Sequence, residues 1–314
     1  MALTGGIDLG GTKIEARLFD KHWAIVESRR VPTPTDSYEE LLAVLVDQVR
    51  WLDDVAGSED LPVGVGIPGL IDQTTGHMLT ANLPATGKSL PLDLMRNVGK
   101  AVTIINDCRA FTLSEAVLGA GRGHAAVLGM IIGTGVAGGY AVNGALVPNL
   151  NGMAGEFGHS PIPAQLVADH GFPLLPCKCG RIGCFESLIA GPGLTQLARN
   201  MTGRTVSVAD IAAASEKGDS DLSSVYDAWT ATVAELIKTL MMALDPQCIV
   251  LGGGLSKIPN VCAHLANAAR PGLLAGTKLP HICLAEGGDS SGTRGAALAA
   301  RLEPLATRHS SVAP

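Results

Sequence analysis

Apolar spacing divides this 314-residue chain into alternating strand and helix patterns. Gly6-Ile7-Asp8-Leu9 reads as a strand turned by Gly10-Gly11-Thr12. Ile14-Glu15-Ala16-Arg17-Leu18-Phe19 then alternates in polarity, so the chain opens on a β-hairpin. Pro32 and Pro34 break the pattern. Ser37 stands where a helix cap belongs, with Glu40 three residues on as its capping-box partner. Leu41, Leu42, Leu45, Val46, Val49 and Leu52 recur at helical spacing as one buried stripe. Residues 63–67 and 102–105 are short apolar runs that read as buried strands, the first ending at Pro68-Gly69 and the second at Asn106-Asp107. Helical spacing follows over 111–118, near 192–200 and 208–214, and from about 226 to 244, where Asp245-Pro246 stops it. The strand 248–251 runs into Gly252-Gly253-Gly254, and a last helix follows Ser291. Each half sets a strand before a Gly-rich turn, which suggests a duplicated α/β architecture. The segment 119–123, with three glycines, is the expected boundary between a smaller N-terminal domain (1–120) and a larger one (121–290).

Composition sharpens this picture. The chain is 46% hydrophobic but only 4% aromatic, so Ala, Val, Leu and Ile carry its positive mean hydropathy of +0.28, as in buried-sheet α/β proteins. Residues 125–155 contain no Asp, Glu, Lys or Arg, and an uncharged stretch of that length can cross a membrane. Gly129, Gly133, Gly135, Gly138, Gly139 and Gly144 interrupt it, with Asn143 and Pro148, which favours buried strands joined by glycine turns. A net charge of −6 and the lack of a basic run argue against nucleic acid or an anionic membrane as partner. Met1-Ala2-Leu3-Thr4 lacks the basic-then-apolar order of a signal peptide. Cys108, Cys248, Cys262 and Cys283 lie in separate, mostly apolar contexts and read as reduced core thiols, so a cytoplasmic location is expected. The oligomeric state is not written in the sequence; a homodimer is compatible with it.

Several glycine motifs are decoys. Gly64-x-Gly66-x-x-Gly69 and Gly133-x-Gly135-x-x-Gly138 match the dinucleotide fingerprint, but no helix opens within either to meet a pyrophosphate. Gly87-Lys88-Ser89 resembles the end of a Walker A loop, yet Asn82 stands where its first glycine belongs. Asp8-Leu9-Gly10-Gly11-Thr12-Lys13 is more specific. A carboxylate at a strand end, two glycines and a hydroxyl suit a hairpin that wraps phosphates, with Asp8 placed to hold hydrated Mg²⁺. The alternative is a plain Gly-Gly turn beside a solvated Asp. Gly133-Thr134-Gly135 is a second phosphate-loop candidate, and Gly253 and Gly254 belong to a third glycine turn. Three such turns spread over both halves suggest a nucleotide clamped between domains. Asp107, at a strand end before a helix, is either a general base acting on an attacking hydroxyl or the cap of that helix.

Cys177-Lys178-Cys179-Gly180-Arg181-Ile182-Gly183-Cys184, with His159 upstream in Gly155-Glu156-Phe157-Gly158-His159, offers a Cys3His zinc set. A disulfide or free thiols are the alternatives; the short spacing is cramped for a disulfide, and Gly180 and Gly183 suit a metal knuckle. Four protein ligands leave no open position, so this zinc would be structural.

Taken in order, Asp8-x-Gly10-Gly11-Thr12-Lys13, Gly66-Ile67-Pro68-Gly69, Asn106-Asp107, Gly133-Thr134-Gly135, Gly155-Glu156-x-Gly158-His159, Cys177-x-Cys179-Gly180-x-x-Gly183-Cys184-x-Glu186 and Gly252-Gly253-Gly254 resemble the ROK family of sugar kinases and repressors. Further segments resemble its amino-sugar kinases, among them Ala81-Asn82-Leu83-Pro84-Ala85 and Gly171-Phe172-Pro173-Leu174. The resemblance implies a two-domain α/β, actin-like ATPase fold of ribonuclease-H-like halves with an interdomain active-site cleft. In such a fold the C-terminal helix, about 291–314, rejoins the N-terminal domain. It implies ATP-dependent phosphorylation of the 6-hydroxyl of N-acetyl-D-glucosamine, with glucose or N-acetylmannosamine as the alternative sugar. It makes Asp107 the base. Gly69, Asn82, Asn106, Asp107, Glu156, His159 and Glu186 become sugar contacts. Asp8, Gly10, Gly11, Thr12, Lys13, Gly133, Thr134, Gly135, Gly253 and Gly254 become ATP and Mg²⁺ contacts, and His159, Cys177, Cys179 and Cys184 zinc ligands. The family's repressors carry an added N-terminal helix-turn-helix. Here the Asp8 hairpin begins almost at residue 1 in an acidic chain, so no DNA-reading module is expected. Two positions depart from the family pattern: Ala137 stands within its usual glycine run, and Asn149 replaces a common glycine.

Overall fold

The computed structural model describes residues 3–80, 82–214 and 216–302. Ala81, the start of the chain at Met1-Ala2 and the expected helix end over 303–314 lie outside the described residues. The chain divides into two compact units, one of Met1–Gly119, Gly144–Ala154 and Gly287–Pro314, the other of Ala120–Asn143 and Gly155–Glu286.

In the first unit, strands β1 (Thr4–Leu9), β2 (Lys13–Phe19), β3 (Ile25–Pro32), β4 (Val63–Ile67) and β7 (Thr103–Asn106) form a sheet of order β3-β2-β1-β4-β7. A side hairpin pairs β5 (Gly69–Ile71) with β6 (Met78–Thr80). The β1–β2 and β2–β3 pairs are antiparallel; β1–β4 and β4–β7 are parallel. Helix Tyr38–Ala56 buries Leu41, Leu45, Val49 and Leu52 completely against this sheet, which is the stripe its sequence spacing predicts. Ser37 caps it by accepting from the Glu40 N–H at 3.2 Å, but the expected capping box does not close. The Ser37 hydroxyl turns instead to the Glu39 carboxylate, 3.2 Å away. Helix Ser291–Leu302 packs on β1, β2 and β4 through fully buried Ala296 and Ala297, whose small side chains let it lie close to the strands.

The second unit repeats the arrangement. Strands β8 (Ala126–Ile132), β9 (Val136–Val142), β11 (Cys248–Gly252) and β12 (His281–Leu284) run in the order β9-β8-β11-β12. As with β2-β1-β4-β7, an antiparallel pair, β8–β9, is followed by two parallel pairs, β8–β11 and β11–β12. The uncharged stretch is therefore strands, as its glycines predict. After β9, Asn143 and Gly144 turn with φ of 51° and 76° into the two-residue β10 (Ala145–Leu146). Among the described residues, no helix is long and apolar enough to cross a membrane. The core of this unit centres on helix Ser220–Leu244 and its fully buried Trp229. That helix begins at Ser220 rather than near Tyr226, because Asp219 caps it and Leu222 and Val225 extend its buried face.

Candidate active site

Parallel strands deliver their carboxyl ends to one edge of a sheet, and in the first unit that edge carries the acids. Asp8 stands near the end of β1, and Asp107 directly follows β7. Burial, then the charge of Asp107, then that of Glu15 push Asp8 up to about 6. Burial also raises Asp107, against the Cys108 N–H that donates to its Oδ1 at 2.9 Å. Two partly buried carboxylates that repel one another fit a divalent cation, which would relieve both. The cap of the following helix, Asp107–Leu118, is Asn106 and not Asp107. Asn106 Oδ1 accepts from the Arg109 N–H at 3.1 Å, and its Nδ2 donates to the Gly69 carbonyl at 3.2 Å. Capping by Asn106 also starts this helix at Asp107, before the expected residue 111, so the Asp107 carboxyl is not used as the cap. The start of helix Ser291–Leu302 lies against Asp8. A methyl group at Gly292 would come within 2.8–3.0 Å of its carboxyl atoms, so any larger residue there would push the Asp8 carboxyl aside.

The hairpin tip is tight: the Gly10 N–H donates to the Lys13 carbonyl at 2.9 Å, and the Thr33 hydroxyl to the Gly10 carbonyl at 2.7 Å. Gly11 and Thr12 are exposed, as a phosphate-gripping tip requires. Asn82 is exposed in the bend after β6. Gly69 and Asn106 share a cavity of about 440 Å³ with Leu70, Leu146, Asn149 and Arg109, the last buried and donating to the Val147 and Ala154 carbonyls. Asn149 shapes its own loop through a 2.6 Å bond from the Gly152 N–H.

In the second unit, Gly133-Thr134-Gly135 turns β8 into β9, closed by the Gly133 N–H on the Gly135 carbonyl at 2.9 Å, with Thr134 exposed. The Gly253-Gly254 turn lies alongside, since a methyl on Gly133 would sit 3.6 Å from the Gly254 nitrogen. Gly254 opens onto a cavity of about 710 Å³ lined also by Tyr226, Asp227, Lys257 and His264. Tyr226, pushed up to about 12 by burial, bonds His264 Nδ1 at 2.8 Å. Sequence motifs gave no sign of this cavity, because its residues come from separate helices. Ala137 sits partly buried in β9 opposite Ile131, so its methyl is accommodated and the departure leaves the strand intact.

The four expected zinc ligands converge, with His159, Cys177, Cys179 and Cys184 placing one ligand atom each within 4.8 Å of one another. His159 Nδ1 lies 3.5 Å from Cys177 Sγ, and the Cys179 and Cys184 sulfurs are 3.6 Å apart. These spacings match the ~3.8 Å edge of a tetrahedron built on ~2.3 Å zinc–sulfur bonds. None of the seven cysteines is disulfide-bonded. Burial pushes Cys177 up and Cys184 to about 12, while the Arg181 N–H holds Cys179 down; loading a metal must therefore release protons. His159 Nε2 faces Glu156 at 3.7 Å, so the ring links the thiol cluster to that acid. Glu186 has a role that sequence reasoning missed. Its Oε2 accepts from the Val136 N–H at 2.8 Å while Oε1 lies 4.0 Å from Cys177 Sγ, so one side chain joins the thiol cluster to the Gly133–Gly135 turn. A methyl at Gly135 would come 2.9 Å from that oxygen, which explains the glycine.

A sheet order built twice, with acids on one copy and glycine turns on both, defines an actin-like, two-domain ATPase fold of ribonuclease-H-like halves. The chain belongs to the ROK family, which it matches over residues 4–303. A ROK hexokinase from Thermus thermophilus is similar at 31% identity and a TM-score of 0.85, covering 96% of this chain and 98% of that one. A ROK glucokinase from Streptomyces griseus, solved with glucose and AMPPNP, is similar at 26% identity and a TM-score of 0.76, covering 96% and 100%. Among curated relatives, an N-acetyl-D-glucosamine kinase of Pectobacterium atrosepticum is 40% identical over 296 residues, covering 93% of this chain and 97% of its own. An N-acetylgalactosamine kinase of Shewanella sp. (strain ANA-3) is 39% identical over 294 residues, covering 93% and 95%.

Proposed function

We propose that this protein transfers the γ-phosphoryl group of ATP to the 6-hydroxyl of N-acetyl-D-glucosamine. The observation that carries the reading is its 39–40% identity, across 93% of its length, to amino-sugar kinases. Asp107 is the base: its carboxylate takes the hydroxyl proton as the sugar oxygen attacks phosphorus. Asn106 and Gly69, tied to one another, hold the sugar beside that base. Glu156, His159 and Glu186 present a donor–acceptor array to ring hydroxyls, and Asn82 adds an exposed amide. Such an array rejects sugars that leave a buried partner unmatched. The exposed Gly11-Thr12 tip of the Gly10–Lys13 hairpin, Thr134 and Gly135 of the second turn and the Gly253-Gly254 turn offer N–H groups to phosphates, and the 710 Å³ cavity at Gly254 takes the base of the nucleotide. Mg²⁺, held through Asp8, supplies charge neutralisation on the phosphates when bound. Zinc, held by His159, Cys177, Cys179 and Cys184, keeps the sugar-contacting segments in shape. A need for ATP and seven reduced thiols suit the cytoplasm.

A second reading, phosphorylation of N-acetylgalactosamine, is favoured by the Shewanella relative. The two sugars differ only in the hydroxyl at carbon 4. A coupled assay of ADP release across N-acetylglucosamine, N-acetylgalactosamine, N-acetylmannosamine and glucose decides between them. The highest kcat/KM is expected for N-acetylglucosamine. A larger value for its 4-epimer would replace the substrate, and no sugar-dependent ADP release would end the kinase reading.

A further inference from the structure

The chemistry above leaves Glu15 unused. Strand register sets it directly opposite Asp8 across β1–β2 and directly opposite Arg30 across β2–β3. Directly opposed residues share a face of a sheet, so Asp8, Glu15 and Arg30 form one row. The Glu15 side chain is 6% exposed. One of its oxygens is crowded: Oε1 accepts from Arg17 Nη2 at 2.8 Å, from Arg17 Nε at 3.3 Å and from Arg30 Nη2 at 3.0 Å. Its other oxygen, Oε2, is buried and accepts nothing among the described residues.

That distribution is informative. A carboxylate serving only as the partner of two guanidinium groups would spread its bonds over both oxygens, as bidentate arginine pairs do. Here the arginines gather on one oxygen. Burial alone would raise this acid, but Arg17 and Arg30 outweigh it and hold the carboxyl below its ordinary range, so it is charged at neutral pH. Arg17 is anchored in turn by the Ser290 hydroxyl, just before the helix that covers Asp8. The outcome is a fixed, ionised, buried oxygen with an unmet need for a donor, in the same row as the acid assigned to Mg²⁺.

We propose that Glu15 is a positioning residue of the divalent-cation site, its Oε2 accepting a hydrogen bond from the water shell of the cation that Asp8 holds. Mg²⁺ gives up its waters reluctantly, so the protein grips it mostly through them, and a second acceptor fixes where the hydrated ion sits. Arg17, bonded to Oε1 through two of its nitrogens, orients that acceptor. The inference rests on the kinase reading, because the cation arrives with the nucleotide.

The test is Mn²⁺ binding in the presence of ADP, followed by loss of the free-ion electron paramagnetic resonance signal, with no turnover involved. Glu15→Gln keeps the size of the side chain and removes its charge; its Mn²⁺ affinity should fall about tenfold. Arg30→Gln removes a cation from the far side of the row and should bind Mn²⁺ at least as tightly as the unaltered protein. Equal weakening in both variants would mark the row as a structural ion pair and overturn the proposal, as would Glu15→Gln affinity within twofold of the unaltered protein. Should Glu15→Gln not fold, Glu15→Asp keeps the charge but draws the oxygen back, and the same loss of affinity is expected. If the unaltered protein takes up no Mn²⁺ with ADP, the kinase reading itself fails; if it does and the Glu15 variants match it, only the role of Glu15 fails.

Discussion

The two units carry one strand order and different chemistry on it. Both turn their first strand into their second through glycines, at Gly10-Gly11-Thr12 and at Gly133-Thr134-Gly135. They differ at the ends of the strands. The first unit sets Asp8 and Asn106-Asp107 there, whereas the second ends β8 in Ile131-Ile132 and β12 in Leu284. The second spends its polar residues after β9 instead, on Glu156, His159, the three thiols and Glu186. A hairpin that bares backbone N–H groups is a property of the fold and recurs. A buried acid is costly; Glu15 and Glu115 are offset by arginines, whereas Asp8 and Asp107 are pushed up by burial at the strand ends, as acids placed where charge moves are. The first unit is thus read as the one that does proton and metal chemistry, and the second as the one that shapes and grips.

The largest effect should come from Asp107. Asp107→Asn keeps the bond from the Cys108 N–H and the cap made by Asn106, but removes the proton acceptor. We expect kcat to fall about a thousandfold, roughly 4 kcal/mol, with the KM for sugar changed little. Turnover within tenfold of the unaltered enzyme would take the base away from the first unit and with it the division of labour.

Cys179→Ser probes the other side. It should lower the zinc content below half an equivalent per chain and raise the KM for sugar about 10- to 100-fold, with a smaller change in kcat. The reasoning runs through Glu186 and His159, each of which ties the thiol cluster to a segment that carries no sulfur. A zinc-free variant with unchanged sugar KM would show the cluster to be a remote staple.

How much of this contrast was legible beforehand depends on the distance a contact spans. The Asp8–Lys13 hairpin, the buried runs at 63–67 and 248–251 and the Leu41–Leu52 stripe follow from local period and turn chemistry, which a sequence displays directly. The thiol set was legible because three of its four ligands fall within one short loop. The Ser37 cap was legible too, but the starts of helices Asp107–Leu118 and Ser220–Leu244 were not, since Asn106 and Asp219 act as caps through side-chain bonds that compete with other local uses. Nor were the partners of Glu15, Glu186 and Gly292. Each is decided by register or packing between segments far apart in the chain, and no periodicity encodes that.

Asp8 offers a smaller test, in the metal-free protein. Its pKa in the folded state, about 6, lies above the ordinary 3.8. Between those values the folded form keeps a proton that the unfolded chain has lost. Stability from this group is therefore greatest at low pH, falls as pH rises from about 4 to about 6, and stays low above that. Asp8→Asn removes this contribution, so in EDTA at pH 7 the variant should be more stable by up to about 3 kcal/mol, and nearly equal to the unaltered protein near pH 4. Parallel stability curves for the two proteins would show that Asp8 carries no such burden and would weaken the case for a cation that relieves it.

The smallest expected effect tests whether the first unit tolerates unsatisfied polarity beyond its acids. Gln48 lies fully buried in helix Tyr38–Ala56, and among the described residues neither its Nε2 nor its Oε1 has a partner. The long helix of the second unit treats its buried polar groups differently: Thr232 donates to the Ala228 carbonyl at 2.7 Å and Trp229 to that of Ile189 at 2.9 Å. Gln48→Met keeps the shape and removes the unmet groups, so the first unit should gain about 1 kcal/mol. Thr232→Val removes a satisfied hydroxyl and should cost the second unit about as much. Native-state hydrogen exchange resolves the two units separately, with slower exchange expected in β1 and β4 for the first variant and faster exchange in β8 and β11 for the second. Sugar kinase activity should stay unchanged in both, because neither residue touches the strand ends. If Gln48→Met destabilised β1 and β4, the amide would have to be satisfied by buried water, and the contrast between the units would shrink to their acids alone.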